Sequence, residues 1–574
     1  MAYRTLQQCI SDLNKKGELK IISKQVNPDL EMASIHLDEF AKGGKAILFE
    51  NIMGSKFRAA SNLFGTLERS KFMFRDSLKI VKKLIDLKTN PASALKNPAD
   101  ALFTVLNGIY ALPIKVRFPR KFKEIQIEDL PQVKCWKEDG GSFITLPQVY
   151  SEDVDNPGIM NSNLGMYRVQ LSGNDYVPNK EVGMHYQIHR GIGVHQKKVN
   201  KKGEPLKVSI FVGGPPAHTF AAVMPLPEGM SEISFAGVLG KRRFRYAKRD
   251  GYIISADADF VICGELHQND VKSEGPFGDH LGYYSLKHDF PVLKIYKVFA
   301  KENAIFPFTV VGRPPQEDSQ FGALIHEITG KAIEQEIPGL KAVNAVDDAG
   351  VHPLLLAVGS ERYTPYNPIK KPQELLTIAN HILGTGQMSL AKYVFICDEE
   401  NSPDVNNEKE YFTHFLERVN WKRDLHFQTK TTIDTLDYSG DGLNEGSKVV
   451  IAAAGEIKRS LSVVLPNIDF PNKFSNPQLV SNGNLVVEGK GDINDLISSL
   501  ETQQLEGISL ITLVDDANFT SENFSNWLWV TFTRSNPAND IYGLNAEHSN
   551  KHFSCSIPVV DARIKPHHAP VLER

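Results

Sequence analysis

The chain has 574 residues, of which 41% are hydrophobic, and its 65 basic and 68 acidic side chains leave a formal net charge of −3. Chains longer than about 250–300 residues usually divide into domains, so we expect two or three. Because the charges nearly cancel, no global field favours nucleic acid or an anionic bilayer. Partners must therefore be recognised at local sites.

Cysteines and apolar runs indicate the compartment. The five cysteines, at positions 9, 135, 263, 397 and 555, are scattered singly, which excludes the close pairs of zinc or redox motifs. The N-terminal segment lacks the apolar core of a signal peptide, and runs such as VVIAAAG (449–455) are far shorter than the roughly 18–20 residues that span a bilayer. We expect a soluble cytoplasmic protein, with peripheral contact at the inner membrane face left open.

The first part of the chain alternates helical and extended patterns. Helical periodicity in residues 29–43 is followed by the strand-like KAILFENI (45–52) and by a second helical pattern over 67–87. This alternation predicts an N-terminal α/β segment over residues 1–115.

The next two hundred residues have a different texture. Short β-branched and aromatic runs, such as KVSIFVG (207–213) and FPVLKIYKVFA (290–300), are separated by Gly, Pro and Asn. This spacing is typical of a β-barrel or sandwich over residues 116–318.

A helical pattern at 321–337 begins the last part of the chain and predicts a connecting helix. Alternating elements then predict a C-terminal α/β domain, which we extend from 319 to 549. Its predicted strands are VHPLLLAVG (351–359), AKYVFICD (391–398), SVVLP (462–466), NLVVEG (484–489) and ISLITLVDD (508–516). The proline-rich end of the chain predicts a C-terminal tail over 550–574, and no internal repeat is evident.

The densest chemical motif is SEGPFGDHLGYY (273–284), in which Glu274 and Asp279 lie five residues apart across Gly and Pro. Such a loop bends both acids toward one point, where each carboxylate raises the proton affinity of the other. The alternative is a Gly-Pro turn with two solvated acids, and this motif alone does not exclude it.

Two further motifs bring together amide, imidazole and guanidinium groups: NSNLGMYR (161–168) and QIHRG (187–191). Arginine beside Gly-rich backbone commonly grips phosphate, and Asn and His can complete the shell of a divalent ion. A lone HRG is more often structural, so these motifs leave both interpretations open.

A third segment, GGPP (213–216) followed by VMPLP (223–227), leads to Ser231 and Glu232 before an apolar run. These two residues could simply begin a helix. Asn163, His189 and Glu232 also form a mixed O/N set that suits Mn2+ or Mg2+ better than structural zinc. Spacing alone does not prove that the three meet.

The motifs NSNLGMYR, QIHRG, MPLPEGMSEISFAG and EGPFGDHLGYY, in this order, resemble the signature of the UbiD decarboxylases, which include polyprenyl-hydroxybenzoate and ferulate decarboxylases. The resemblance extends through GRPPQEDS to QMSLAKYVFICDEE and weakens in the final hundred or so residues. It implies an α/β (α+β) fold: an N-terminal α/β segment, a central flavin-binding split β-barrel, a connecting helix and a C-terminal α/β domain.

The resemblance also implies the cofactors: prenylated FMN, a divalent metal, usually Mn2+ with Mg2+ as the alternative, and K+. Asn163, His189 and Glu232 match the metal-binding positions. The expected cofactor contacts are Met166, Tyr167, Arg168, Tyr186, Gln187, His189, Arg190, Gly191, Met224, Pro225 and Lys392.

Glu274, Arg168 and Asp279 match the family's acid–arginine–acid relay, in which the second acid protonates carbon after CO2 leaves. The modified flavin supplies the electron sink. An aspartate followed by histidine is similar to the quinone-pathway branch, whereas ferulate enzymes carry glutamate. The resemblance implies domain closure over the substrate, with Lys392 reaching the cofactor from the C-terminal domain.

These implications predict a non-oxidative decarboxylase of an aromatic or α,β-unsaturated acid, with 3-polyprenyl-4-hydroxybenzoate in ubiquinone biosynthesis as the favoured substrate. Alternatives are a decarboxylase or carboxylase of another phenolic or heteroaromatic acid, a non-catalytic flavin-binding subunit of a carboxylase complex, and a redox flavoprotein. A flavin prenyltransferase would supply the cofactor, no nucleic acid would bind, and a homo-oligomer, dimer or hexamer, is expected.

Overall fold

The computed structural model describes residues 3–89, 107–186, 191–226, 230–364, 366–367 and 369–573. The chain divides into two compact units, Met1–Ala332 with Val571–Arg574, and Ile333–Pro570. Within the described residues, every helix is too short or too polar to cross a membrane.

The first unit begins with a small α/β segment. Helix α1 starts after Thr5, whose side chain accepts a hydrogen bond from the Gln8 backbone N–H, and ends at Gly17, which has a φ of 80°. Strands β1 and β2 run parallel, and the sheet continues through β3 to β18, a later strand. The elements here are α1 (Leu6–Lys16), β1 (Leu19–Val26), α2 (Glu31–Phe40), β2 (Ala46–Ile52), β3 (Arg58–Ser61), α3 (Leu67–Met73) and α4 (Leu78–Thr89).

The middle of the chain is rich in strands, as the sequence predicts. The elements are β4 (Ile114–Lys115), β5 (Phe122–Ile125), β6 (Phe143–Ile144), β7 (Pro147–Glu152), β8 (Ser162–Gly165), β9 (Val169–Gln170), β10 (Glu181–Met184), α5 (Gly191–Lys202), β11 (Leu206–Val212), α6 (Pro216–Val223), α7 (Glu232–Leu239), β12 (Arg245–Arg249), β13 (Tyr252–Ser255), β14 (Phe260–Glu274), β15 (Phe277–Gly278), β16 (Tyr284–Ser285), β17 (His288–Lys301), β18 (Ile305–Pro307) and α8 (Glu317–Glu336).

A nine-stranded antiparallel sheet dominates this part. Its order is β6-β9-β10-β17-β14-β11-β7-β8, with β5 pairing to β17. Strands β14 and β17 pair along most of their length, and the pairing ends with Glu274 opposite His288. The connection between these two strands therefore begins at Glu274 and carries Asp279.

Helix α6 packs against β7 and β8, and its side chains are buried on almost every face. Phe220 is fully buried, and the Ala222 carbonyl accepts a hydrogen bond of 2.8 Å from the Met166 N–H. Burying one such aromatic side chain contributes about 1.5–3 kcal/mol. This packing fixes the segment between β8 and β9, which carries Met166, Tyr167 and Arg168.

The second unit contains two five-stranded sheets with helices between their strands. Its elements are β19 (Leu340–Ala345), β20 (Leu354–Gly359), α9 (Glu374–Leu383), β21 (Tyr393–Asp398), α10 (Glu408–Arg418), β22 (Leu425–Thr431), β23 (Gly446–Ala453), β24 (Phe474–Ser481), β25 (Asn484–Gly489), α11 (Ile493–Leu500), β26 (Leu510–Val514), α12 (Ala517–Ser521), α13 (Phe524–Thr533), α14 (Pro537–Asp540), β27 (Ile541–Leu544), β28 (Glu547–Ser549), β29 (His552–Ser554) and β30 (Ile557–Asp561).

The two sheets share one topology. Their orders are β19-β20-β21-β23-β22 and β24-β25-β26-β30-β27. In each, the first and last pairs are antiparallel and the two central pairs are parallel. The second unit therefore holds a structural repeat, although no internal repeat is evident in the sequence.

Two local predictions also differ from the structure. The run SVVLP (462–466) is not a strand, and Val463 and Val464 are 72% and 69% exposed, because no neighbouring strand pairs with this β-branched run. In the segment 550–574, expected to be a tail, β30 pairs with both β26 and β27. The run of buried residues at 558–561 outweighs the prolines, which lie outside this strand apart from Pro558.

Candidate active site

The structure brings Arg168, Glu274 and Asp279 together, as the resemblance predicts. Arg168 lies just before β9 and donates from Nε to Glu274 Oε1 at 2.9 Å and from Nη2 to Glu274 Oε2 at 2.8 Å. Its Nη1 donates to Asp279 Oδ2. The three side chains are 8%, 1% and 9% exposed. Such bidentate, charge-assisted pairing fixes both acids around one guanidinium.

The electrostatics of this cluster differ from the expectation that the two acids raise each other's pKa. Burial raises the pKa of Glu274, but the charge of Arg168 and a hydrogen bond from His185 outweigh it and lower the pKa to about 2. Burial also raises the pKa of Asp279, but hydrogen bonding by His280 and the charge of Arg168 outweigh it and lower the pKa. Both acids are ionised at neutral pH because the guanidinium lies between them.

His185 is a member of this cluster that sequence reasoning missed. It follows β10, is 6% exposed, and its Nδ1 lies 3.1 Å from Glu274 Oε2. Burial and the Arg168 charge lower its pKa, so the ring is neutral and donates Nδ1–H to the carboxylate. Its Nε2 has no hydrogen-bond partner among the described residues. A single histidine at the end of an apolar strand offers no signal beyond its nearness to QIHRG.

The loop that carries the second acid is held by a second segment that sequence reasoning also missed. The buried carboxylate of Asp139 accepts hydrogen bonds from the backbone N–H groups of Gly278 at 2.8 Å and Trp136 at 2.9 Å. The Gly140 N–H donates to the Pro276 carbonyl at 2.8 Å. These contacts leave no motif in the sequence, since they are made to backbone groups.

Close packing leaves no room for side chains at two glycines of this arrangement. A Cβ added at Gly278 would lie 2.0 Å from Trp136 Cδ1, and one at Gly140 would lie 2.2 Å from the Gly275 carbonyl oxygen. The Gln170 amide oxygen also accepts a hydrogen bond from the Gly275 N–H at 2.9 Å. The position of Asp279 is therefore set by backbone contacts as well as by Arg168.

Two of the three predicted metal ligands lie beside each other. Glu232 is the first residue of α7, and its Oε2 accepts from the Leu164 N–H at 3.4 Å, next to Asn163 on β8. Burial raises the pKa of Glu232. A Cβ added at Gly191 would lie 2.4 Å from Asn163 Oδ1, so the first residue of α5 is also adjacent. The third predicted ligand, His189, lies outside the described residues.

These residues fit a divalent cation. The Asn163 amide oxygen accepts a hydrogen bond from the Tyr167 hydroxyl at 3.2 Å, and the half-buried Glu232 carboxylate accepts a long hydrogen bond from the neighbouring Leu164 N–H. Amide and carboxylate oxygens suit Mn2+ or Mg2+. Gly191 at the start of a helix suits a phosphate, because helix N-termini favour anions.

The other predicted cofactor contacts fall into three groups. Met166, Tyr167, Tyr186 and Met224 are buried or half-buried, and the rings of Tyr167 and Tyr186 lie 6.2 Å apart, whereas Pro225 is exposed. Gln187 and Arg190, like His189, lie outside the described residues. Lys392 belongs to the second unit, and its role toward the cofactor stays a prediction.

Lys392 is 1% exposed and pairs within its own unit. Its Nζ lies 2.7 Å from Asp437 Oδ2 and donates to Ser439 Oγ at 2.6 Å. Burial lowers the pKa of the lysine, although Asp437 opposes this effect. The structure therefore gives this lysine a carboxylate partner that the sequence analysis did not name.

Comparison with known proteins identifies the family. The models of the 3-octaprenyl-4-hydroxybenzoate carboxy-lyase N-terminal, Rift-related and C-terminal domains match residues 10–88, 112–314 and 319–453. A protein of Chlamydia pneumoniae described as a subunit of 4-hydroxybenzoate decarboxylase is 35% identical, over 99% of this chain and 95% of that protein. An uncharacterised protein of Archaeoglobus fulgidus is 32% identical over 79% of this chain and 92% of its own length.

Solved structures show the same fold. The closed form of vanillic acid decarboxylase from Sedimentibacter hydroxybenzoicus matches with a TM-score of 0.67 at 22% identity, covering 82% of this chain and 96% of that one. The UbiD-class enzyme HmfF from Pelotomaculum thermopropionicum, in complex with FMN, matches with a TM-score of 0.60 at 20% identity, covering 81% and 97%. With all three domain models matched, the chain belongs to the UbiD family of carboxy-lyases, which are decarboxylases.

Proposed function

We propose that this decarboxylase acts non-oxidatively on an aromatic or α,β-unsaturated carboxylic acid and uses prenylated FMN. The observation that carries the proposal is the buried Glu274–Arg168–Asp279 cluster, because a scaffold protein or a plain redox flavoprotein has no need of two acids fixed around one arginine. The resemblance and the FMN-bound relative HmfF support the flavin.

Asn163 and Glu232, with His189, would hold Mn2+ or Mg2+, with K+ nearby, and the first turn of α5 would bind the cofactor phosphate. The bound prenylated flavin would supply the electron sink for the departing CO2. A flavin prenyltransferase would provide this cofactor. The support from this chain is the half-buried Glu232 carboxylate, which accepts a hydrogen bond from the Leu164 N–H at 3.4 Å, beside the amide of Asn163.

The chain's own residues orient the substrate and move the proton. Arg168 would place a positive charge near the reacting acid, and Asp279 would return a proton to carbon. Asp279 is ionised in the cluster, so it would first take up a proton from water. A substrate carboxylate placed beside it would favour this uptake, since like charges disfavour ionisation. Glu274, bound bidentately to Arg168, fixes the guanidinium and stays ionised.

For the substrate we favour a 4-hydroxylated benzoic acid, with 3-polyprenyl-4-hydroxybenzoate of ubiquinone biosynthesis as the first candidate. Asp279 followed by His280, as in the quinone-pathway branch, supports it. The Chlamydia pneumoniae relative, described as part of a 4-hydroxybenzoate decarboxylase, favours an unprenylated phenolic acid as the second candidate. We place the enzyme in the cytoplasm as a homo-oligomer, with membrane contact required only for the polyprenyl substrate.

The test is co-expression with a flavin prenyltransferase, anaerobic purification, and measurement of bound flavin mass, metal content and CO2 release. The expected result is modified flavin with Mn2+ and CO2 release from hydroxylated benzoates, with the polyprenyl and unprenylated acids compared directly. Unmodified FMN without CO2 release, despite an active prenyltransferase, would contradict the proposal. Nicotinamide-driven flavin reduction would then favour a redox flavoprotein.

A further inference from the structure

The two sheets of the second unit agree not only in strand order but residue by residue in register. We call residues 340–453 repeat A and residues 474–561 repeat B. In repeat A, Leu355 pairs with Val394 and Val394 pairs with Val450. In repeat B, Leu485 pairs with Ile511 and Ile511 pairs with Val559. The edge strands agree in register as well. His426 lies opposite Val450 in repeat A, and Tyr542 lies opposite Val559 in repeat B.

One turn is also preserved in detail. Repeat A enters its fourth strand through Asn420 and Asp424, and the Asn420 N–H donates to Asp424 Oδ2 at 2.9 Å. Repeat B enters its fourth strand through Asn536 and Asp540, and the Asn536 N–H donates to Asp540 Oδ2 at 2.7 Å. Equal register and an equal turn mean that repeat B is a second copy of the domain formed by repeat A.

The copies differ at the position of Lys392. This lysine directly precedes the third strand of repeat A, and Ser509 directly precedes the third strand of repeat B. Ser509 bonds instead to repeat A, because its hydroxyl accepts from Trp421 Nε1 at 3.2 Å and donates to the Leu416 carbonyl at 3.2 Å. Repeat B has therefore exchanged the buried lysine for a contact with its sister domain.

Contacts between the copies are reciprocal. At the start of the third strand of repeat A, the Tyr393 hydroxyl lies 2.7 Å from Ser535 Oγ, just after α13 of repeat B. The Ser509 contacts described above are made to the residues around the end of α10 of repeat A. Each third strand thus meets the helix end of the other copy, which is the pattern of an isologous dimer interface.

Aromatic rings fill the space between the copies. The Phe412 ring lies 5.0 Å from that of Trp527 and 6.0 Å from that of Phe532, whose ring is 5.9 Å from Phe395. All four side chains are at most 3% exposed. Aromatic side chains bury about 150–250 Å² each, whereas the largest apolar patch of a typical monomer is about 300–600 Å². Repeat A could not leave this face uncovered.

We propose that repeat B is an internal partner domain: it covers, within the same chain, the aromatic face of repeat A that a second chain would otherwise have to cover. Chains then do not associate through this face, and any oligomer forms through another surface. The 20 residues between the copies, 454–473, belong to the described chain and join repeat A directly to repeat B.

The first test uses the full chain with His426→Cys and His552→Cys, whose native rings lie 5.9 Å apart on the two copies. Treatment with a short bismaleimide should give a link within one chain at every protein concentration. The two single variants are controls, and the native cysteines are buried. A link between two chains would overturn the proposal.

The second test compares two buried residues of repeat B by sedimentation of the full chain over a range of concentrations. Trp527 contacts Phe412 across the interface, whereas Leu496 lies in a hydrophobic cluster whose buried members all belong to repeat B. Trp527→Ala should increase self-association about tenfold or more over wild type, and Leu496→Ala should not. Half-buried Phe524, 5.9 Å from Phe412, gives a milder Phe524→Ala variant should Trp527→Ala not fold. Equal self-association of the two variants, or none by the interface variant, would overturn the proposal.

Discussion

Two groups of buried carboxylates lie in the first unit, and they differ in what balances their charge. Glu274 and Asp279 face Arg168, and their pKa values are lowered despite burial. Asp139 and Glu317 are held by backbone N–H groups, and burial raises their pKa values to about 6 and about 7. Equal burial therefore gives opposite shifts, and the guanidinium decides the sign.

Glu232 resembles the second group but is only half-buried. Burial raises its pKa, and the Leu164 N–H is a weak substitute for a positive charge at 3.4 Å. Glu274 and Asp279 thus face a cation that is part of the chain, whereas Glu232 would need a cation that binds from solution. The proposed roles in proton transfer and metal binding follow this division.

The largest effect is expected from Arg168→Met, which leaves the first group of carboxylates without the guanidinium that balances their charge. Breaking a buried ion pair by removing one partner costs about 3–5 kcal/mol, and the pKa values of Glu274 and Asp279 should rise. Calorimetric unfolding and CO2 release should both show the loss. Wild-type stability in this variant would contradict the assignment of Arg168 as the balancing charge.

Asp279→Asn should lower turnover by about 10²–10⁴ while flavin stays bound, because proton transfer is lost and Glu274 still pairs with Arg168. Turnover and flavin content are measured on the same preparation. Asp289→Asn, at an exposed position of β17, is the control and should keep wild-type turnover. Normal turnover in Asp279→Asn would exclude Asp279 as the proton donor.

Glu232→Gln should lose Mn2+ and flavin together and leave the fold intact, because the amide cannot balance a bound cation as a carboxylate does. Metal analysis and flavin absorbance of the purified protein give both quantities. Glu302→Gln removes a carboxylate that is 76% exposed and is the matched control. Retention of metal with loss of flavin would place Glu232 elsewhere in the site.

The smallest effect concerns stability and pH. The pKa of Glu317 is raised from 4.5 to about 7, so the folded state binds its proton more tightly than the unfolded chain does. Glu317 therefore contributes about 3 kcal/mol to the free energy of unfolding, fully present below about pH 4.5 and lost as pH rises through 7. Calorimetry at pH 5 and pH 8 should show a smaller decline in the free energy of unfolding for Glu317→Gln than for wild type. An unchanged decline would contradict the raised pKa.

Sequence reasoning located the motif residues but not their supports. Arg168 and Glu274 could be paired only through the family resemblance, since they are 106 residues apart and meet across a sheet. His185 and Asp139 each hold another segment of the chain through one side chain. Such single contacts leave no pattern in the local sequence. The lowered pKa values of the two acids depend on where one guanidinium lies, which spacing does not determine.

The second unit shows a different limit. The apolar run at 462–466 has strand propensity but no partner strand, and β-propensity depends strongly on context. The internal repeat was not visible because register and direction are preserved while side chains are not, as Lys392 and Ser509 illustrate. Only the Asn420–Asp424 and Asn536–Asp540 pairs remain as a trace, too short to identify a repeat.

The crowding around Gly140 and Gly278 bears on how substrate range can evolve. Neither position admits a methyl group without moving Trp136 or the backbone at Gly275. Mutations in this loop would therefore displace Asp279, the proposed proton donor, before they reshaped the binding space. A lineage that acquires a new acid as substrate must change other walls of the site and leave this loop as inherited.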